Sequence, residues 1–178
     1  MGEAIDMPAQ PSWIESGGVF GDLLRFLRSS LVPFLQLEAD EIETILSSVD
    51  IILPSRVILK PSVQDQYSRC HRNNDLLLIH SILIDKYPDC AEVYEKFLAQ
   101  DSAYLFNMFI SSSRVADEYA SWLFSVLREF EMRAGLLERD EYQMRAPAFL
   151  AERLLNVFVS WKGLSVREVP VVLDLAYV

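Results

Sequence analysis

The chain has 178 residues, 51% of them apolar and 24% charged, a globular composition that excludes a disordered or collagen-like protein. At this length one domain is expected, and folding removes about 70% of the unfolded chain's accessible surface. With 26 acidic against 16 basic side chains the net charge is −10, which argues against general nucleic-acid binding, where Lys and Arg on phosphates supply the affinity.

Residues 1–18 carry Pro8 and Pro11, end on Gly17-Gly18 and lack the apolar stretch of a signal peptide, so they read as a flexible lead-in to one domain over 19–178. From Val19 to Leu31, Phe20, Leu23, Leu24, Leu27 and Leu31 recur at helical spacing with Arg25 and Arg28 opposite. A core-packed helix and a basic surface helix both fit. A second helix is expected over Ala39–Ser48, with Glu38, Asp40 and Glu41 near its positive end. The apolar, β-branched run from Val49 to Leu53, stopped by Pro54, reads as a buried strand.

Asn73, Asn74 and Asp75 offer caps for a helix through Leu76–Ile84 that Tyr87-Pro88 ends. A short helix over Cys90–Leu98 follows, and Ala103–Ser111 reads as a central strand. Val115, Tyr119, Trp122, Val126 and Phe130 mark a long helix, Arg114–Arg133, with Gly135 as its stop. A last helix starts near Pro147 and ends before Gly163, and Val166–Leu175 is a final strand that Pro170 places at an edge. Strands interleaved with more helix than strand predict an α/β or α+β layer structure.

Cys70 and Cys90 form no Cys-x-x-Cys pair and read as free thiols of a reducing compartment. His71 and His80 do not match metal-ligand spacing on a helix. The longest apolar run, Leu76–Ile84, is interrupted by His80 and Ser81 and falls well short of the roughly twenty residues of a membrane span. A cytoplasmic protein is expected, with peripheral attachment to the inner face of a membrane left open. Glycine-rich phosphate loops, nucleophile elbows and His-Glu-x-x-His motifs are absent.

Three features bear on chemistry. Arg56, Lys60, Arg69 and Arg72 oppose only Asp65 within residues 51–73, a basic island read as a loop after the strand that either holds phosphate or forms a solvated surface. Asn107 interrupts an apolar strand and needs partners, from a loop or from a ligand. On the last helix Leu150, Leu154, Val157 and Trp161 share one face, and Glu152 and Asn156 fall opposite, toward water or a cleft. A carboxylate in a cleft there is able to take a hydroxyl proton as general base.

The segments Asp50-Ile51-Ile52-Leu53-Pro54, Gln66-Tyr67 with His71 and Asp75-Leu76, and Lys86-Tyr87-Pro88 stand in a recognisable order. They are followed by Tyr104-Leu105-Phe106-Asn107-Met108-Phe109-Ile110, by Asp117-Glu118-Tyr119 with Trp122-Leu123-Phe124, by Phe149 through Val157, and by Glu168-Val169-Pro170-Val171. Together, over about residues 39–172, they resemble the family catalogued as domain of unknown function 4422, the glycosyltransferase-like domains of bacterial capsular and surface polysaccharide synthesis. The resemblance implies the C-terminal part of a GT-A-like domain that moves a sugar from a nucleotide-sugar donor to a glycan acceptor. It assigns Tyr67, His71 and Asp75 to one motif, Asn107 and Met108 to a second, and Glu152, Arg153 and Asn156 to a third. On that reading Glu152 is the base or a sugar-binding carboxylate, Asn107 orients the substrate, and Arg69, His71 or Arg72 lies near phosphate. No Asp-x-Asp supports a divalent metal, and no cofactor is implied. Residues 1–38 do not supply the family's usual N-terminal half with its His-Tyr-Arg-Arg-like strand. A truncated or split enzyme is therefore one expectation. A non-catalytic binding subunit, pairing with a complementary half or with its own copy, is the other.

Overall fold

The computed structural model describes residues 39–170. The lead-in, the helix expected over Val19–Leu31 and the end of the last expected strand lie outside them. The described elements in chain order are α1 (Ala39–Leu46), β1 (Ile51–Pro54), β2 (Val57–Ile58), α2 (Val63–Cys70), α3 (Asn73–Lys86) and α4 (Pro88–Leu98). They continue with β3 (Ser102–Ala103), β4 (Ile110–Ser111), α5 (Ser113–Arg133), α6 (Ala146–Trp161) and β5 (Val166–Val169). The architecture is helix-rich with a small mixed sheet, as the alternation of strand and helix signals predicts.

β1 is central in the sheet order β4-β1-β5, parallel to β5 and antiparallel to β4. All four of its residues are buried, which is why its sequence is continuously apolar rather than alternating. β5 pairs only with β1 among the described strands, consistent with Pro170 directly after it. Beside the sheet, α6 packs against α4 and α5, and α3 against α4 and α5. The core joins Ile51 and Leu53 to Leu76, Ile79, Phe97, Val126, Phe130, Leu154 and Phe158. Each such side chain, fully buried, contributes about 1.5–3 kcal/mol. A net of rings, Tyr119, Trp122, Phe158 and Trp161, joins α5 to α6 with centroids 5.2–6.5 Å apart. α5 stops where predicted, with Gly135 in the left-handed region at φ 58°. Both cysteines are free, Cys70 exposed and Cys90 buried.

Three expectations are corrected. Residues 63–70, read as part of a basic loop, form α2. The Ser62 hydroxyl caps it by accepting from the Asp65 amide at 3.1 Å, and Val63 and Tyr67 bury one face. Asn73, Asn74 and Asp75 do not cap α3: Arg72 stands at its N-cap without a side-chain bond, and Asp75 turns inward instead. Ala103–Ser111 is not a continuous strand. Only Ser102–Ala103 and Ile110–Ser111 pair, and between them Phe106 takes φ 68° and the Met108 amide donates to the Phe106 carbonyl. The physical reason lies on α6. The Asn156 amide accepts from the Tyr104 N–H at 2.7 Å and donates to the Tyr104 carbonyl at 2.8 Å, taking both groups a strand ladder would use.

Candidate functional site

α2 and α3 meet at a corner where His71 ends one helix and Asp75 lies in the first turn of the next. Opposite this corner runs α6, and the connection from α5 to α6, residues 134–145, closes the third side. Asp75 and Arg139 form the deepest ion pair. Two parallel bonds of 2.8 Å join them, and their side chains are 2% and 5% exposed. This is the bidentate geometry that suits a guanidinium to a carboxylate. Arg139 Nη2 also donates to the Ala134 carbonyl at 3.0 Å, tying the corner to the end of α5.

Arg153 is equally buried but holds different partners. Its Nη1 donates to Glu152 Oε2 at 2.7 Å and to the Phe149 carbonyl at 3.0 Å, and its Nη2 donates to Gln66 Oε1 at 2.8 Å. Its guanidinium sits 5.3 Å from the centre of the Tyr67 ring. His71 stacks on Phe149 at 4.1 Å and lies nearly parallel to Tyr142 at 5.7 Å. Six side-chain polar atoms among the described residues are sealed from solvent without a hydrogen-bond partner. Five belong to this cluster: the Tyr67 hydroxyl, His71 Nδ1, Arg139 Nε, Gln143 Oε1 and Arg153 Nε. A native fold leaves few such atoms, so their concentration makes this corner the candidate site.

The electrostatics follow from burial. Desolvation raises the Glu152 carboxyl above its ordinary value, against the opposing charge and hydrogen bond of Arg153. The His71 imidazole is lowered, first by burial and then by Arg153, which favours its neutral form. Burial also raises the Tyr67 phenol, with the Asp75 charge acting in the same direction. Glu152 keeps a side-chain exposure of 30% and has one strong donor on one oxygen. A carboxylate so placed is able to accept a proton from an incoming hydroxyl.

The residues singled out in the sequence divide into groups. Tyr67, His71, Asp75, Glu152 and Arg153 come together in the cluster. Asn156 is buried rather than facing water or a cleft, and its amide is engaged by Tyr104 and by the Glu152 carbonyl at 3.0 Å. Asn107 is exposed and lines a separate groove of about 500 Å³ with Tyr119, Phe124, Leu127 and Ala151. Met108 is half-buried in the same loop. Arg69 and Arg72 are exposed. Arg56 lies over the Tyr104 ring at 4.4 Å and pairs with Glu168 at 3.5 Å, which takes it out of any free basic patch. Sequence reasoning missed Arg139, Tyr142, Gln143 and Phe149 as members of the site. The bond from Gln143 Nε2 to the Cys70 carbonyl, 3.2 Å, and the Asp75–Arg139 pair span distant positions for which a single sequence holds no signal. Among the described residues no three His, Cys, Asp or Glu side chains gather to hold a metal ion, and no helix is long and apolar enough to cross a membrane.

No curated protein matches the chain. A solved apo structure of the bifunctional glycosyltransferase WbbM is similar in fold, with a TM-score of 0.64 and 24% sequence identity over 72% of this chain. The matched region spans 24% of that protein's length. The family model described as Domain of unknown function (DUF4422) matches residues 30–163, three quarters of the sequence and nearly all of the site just described. The chain belongs to that family.

Proposed function

We propose that the chain is a glycosyltransferase-like domain of surface polysaccharide synthesis that transfers a sugar from a nucleotide-sugar donor to a glycan acceptor. The observation that carries this reading is the cluster itself. Motif residues from α2, α3 and α6 converge around Glu152, a half-buried carboxylate whose pKa is raised by burial. In the reaction, the Glu152 carboxylate takes the proton of the acceptor hydroxyl as its oxygen forms the new bond to the sugar carbon. The bond from that carbon to the diphosphate breaks, and the departing nucleoside diphosphate carries the negative charge. Arg153 fixes the orientation of Glu152 through the 2.7 Å bond, and Gln66 fixes Arg153.

The charge on the leaving diphosphate needs cations that the fold has not already neutralised. Arg139 and Arg153 are both paired with carboxylates. Arg69 and Arg72 are exposed and are the candidates for phosphate. The fold of the WbbM structure supports the donor class as an analogy. The test is release of nucleoside diphosphate when the full chain is incubated with a panel of uridine-, guanosine- and thymidine-linked sugars and oligosaccharide acceptors. Acceptor-dependent release that Glu152→Gln suppresses is expected. No release with any donor would overturn the reading.

A further inference from the structure

The connection between α5 and α6 does more than join two helices. Arg139 anchors it to Asp75, the Gln143 side chain anchors it to the end of α2, and the Asp140 carboxylate accepts from the Gln143 backbone N–H at 2.9 Å. Tyr142 sits between these anchors, yet the residue is 50% exposed. Its ring lies within 16° of the His71 plane and 5.2 Å from the Phe149 centroid. Met144 and Leu137, on the same connection, are 42% and 96% exposed. An aromatic ring that the core does not need, held on a backing of two further rings, offers a flat apolar face at little cost in conformational entropy.

The surroundings specify the chemistry of what such a face takes. The two buried guanidiniums of the cluster are matched by Asp75 and Glu152, and a third, on exposed Arg145, lies over the Phe149 ring at 5.6 Å from its centre. Beside them stand hydroxyl-binding groups: the Glu152 carboxylate, one helical turn from Phe149, and the Gln66 amide. A neutral ring with an apolar C–H face and hydroxyls at its rim fits this combination. We propose that Tyr142, backed by His71 and Phe149, is the platform on which one pyranose ring of the acceptor glycan stacks. The word acceptor rests on the glycosyltransferase reading, whereas the sugar-binding face rests on the stack alone.

Saturation-transfer NMR on the full chain tests this with methyl glycosides of glucose, galactose and mannose, and with uridine and guanosine as competitors. Saturation of the ring C–H protons of at least one glycoside is expected. It should fall about three- to tenfold in Tyr142→Ala and persist in Tyr142→Phe, the range that loss of one aromatic stack produces. Because Tyr142 is half exposed, both variants should keep the native unfolding midpoint, and this separates loss of binding from loss of fold. No saturation of any glycoside, equal saturation in Tyr142→Ala, or saturation confined to the nucleosides would each overturn the platform. A positive result without turnover of any donor would keep the platform and refute the transferase reading. Transfer activity whose acceptor KM is unchanged in Tyr142→Ala would do the reverse.

Discussion

Two buried polar residues stand three apart on α6, and they do different things. Asn156 is 4% exposed, and its amide makes three bonds to backbone, two of them to Tyr104, where the expected strand breaks off. Its hydrogen-bonding capacity is consumed by shaping the loop from Tyr104 to Phe109. Arg153 is also 4% exposed, but it bonds one carboxylate, one amide and one carbonyl and leaves its Nε unpartnered. Burial of a polar side chain therefore does not by itself indicate a working site. What distinguishes the two is whether the fold satisfies the group completely or leaves it in contact with others that are unsatisfied too.

Stability measurements break this comparison most sharply at Asp75. Its removal leaves the Arg139 guanidinium buried without its counter-charge, so Asp75→Ala should lose about 3–5 kcal/mol in urea unfolding. The double change of Asp75→Leu with Arg139→Met should recover a good part of that loss. A cost below about 1 kcal/mol for the single change would show that the pair is not the anchor described. Asn156→Ala should follow at about 2–3 kcal/mol, because the Tyr104 N–H and carbonyl are then buried without partners. Hydrogen exchange at the Tyr104 amide should rise with it, and an unchanged exchange rate would remove Asn156 from its structural role.

Smaller effects sharpen the same contrast. His71 has its folded pKa pushed below the ordinary 6.5, so between the two values the unfolded chain binds more protons than the folded one. Stability from this group is complete above pH 6.5 and is lost as pH falls through the folded value. His71→Phe keeps a ring on Phe149 without the titration, and its urea midpoint should fall less between pH 7.5 and 5.5 than that of the native chain. Parallel losses in the two proteins would contradict the assignment. Smallest of all, Arg69→Ala with Arg72→Ala should move stability by no more than about 0.5 kcal/mol. The same pair should weaken the salt-sensitive binding of uridine or guanosine diphosphate seen in titration calorimetry. Undiminished binding would place the phosphate elsewhere.

Much of the fold was legible because helix periodicity and stop signals are local. The stripe from Val115 to Phe130 and the glycine at 135 located α5 to within a residue at its start. α2 was legible in principle: Ser62 and Asp65 form a capping pattern, and Val63 and Tyr67 are one turn apart. The four basic residues between 51 and 73 drew the reading toward a loop instead. The strand expected over Ala103–Ser111 failed because its β-prone residues are overruled by a side chain 52 positions away. The site divides in the same manner. Tyr67, His71, Asp75, Glu152 and Arg153 were picked out by their motifs, whereas Arg139 and Tyr142 enter only through contacts made in three dimensions.

The central claim is that the cluster around Glu152 performs proton transfer and is not merely a polar seam between helices. The most direct measurement is the sugar-transfer rate of Glu152→Gln beside its urea unfolding curve. Gln keeps an oxygen for Arg153 to bond and preserves the shape, so the unfolding midpoint should change little. Loss of a positioned general base should lower kcat by about 10²–10⁴-fold. Transfer at the native rate, with the variant folded, would contradict the claim and return Glu152 to the role of a structural partner for Arg153.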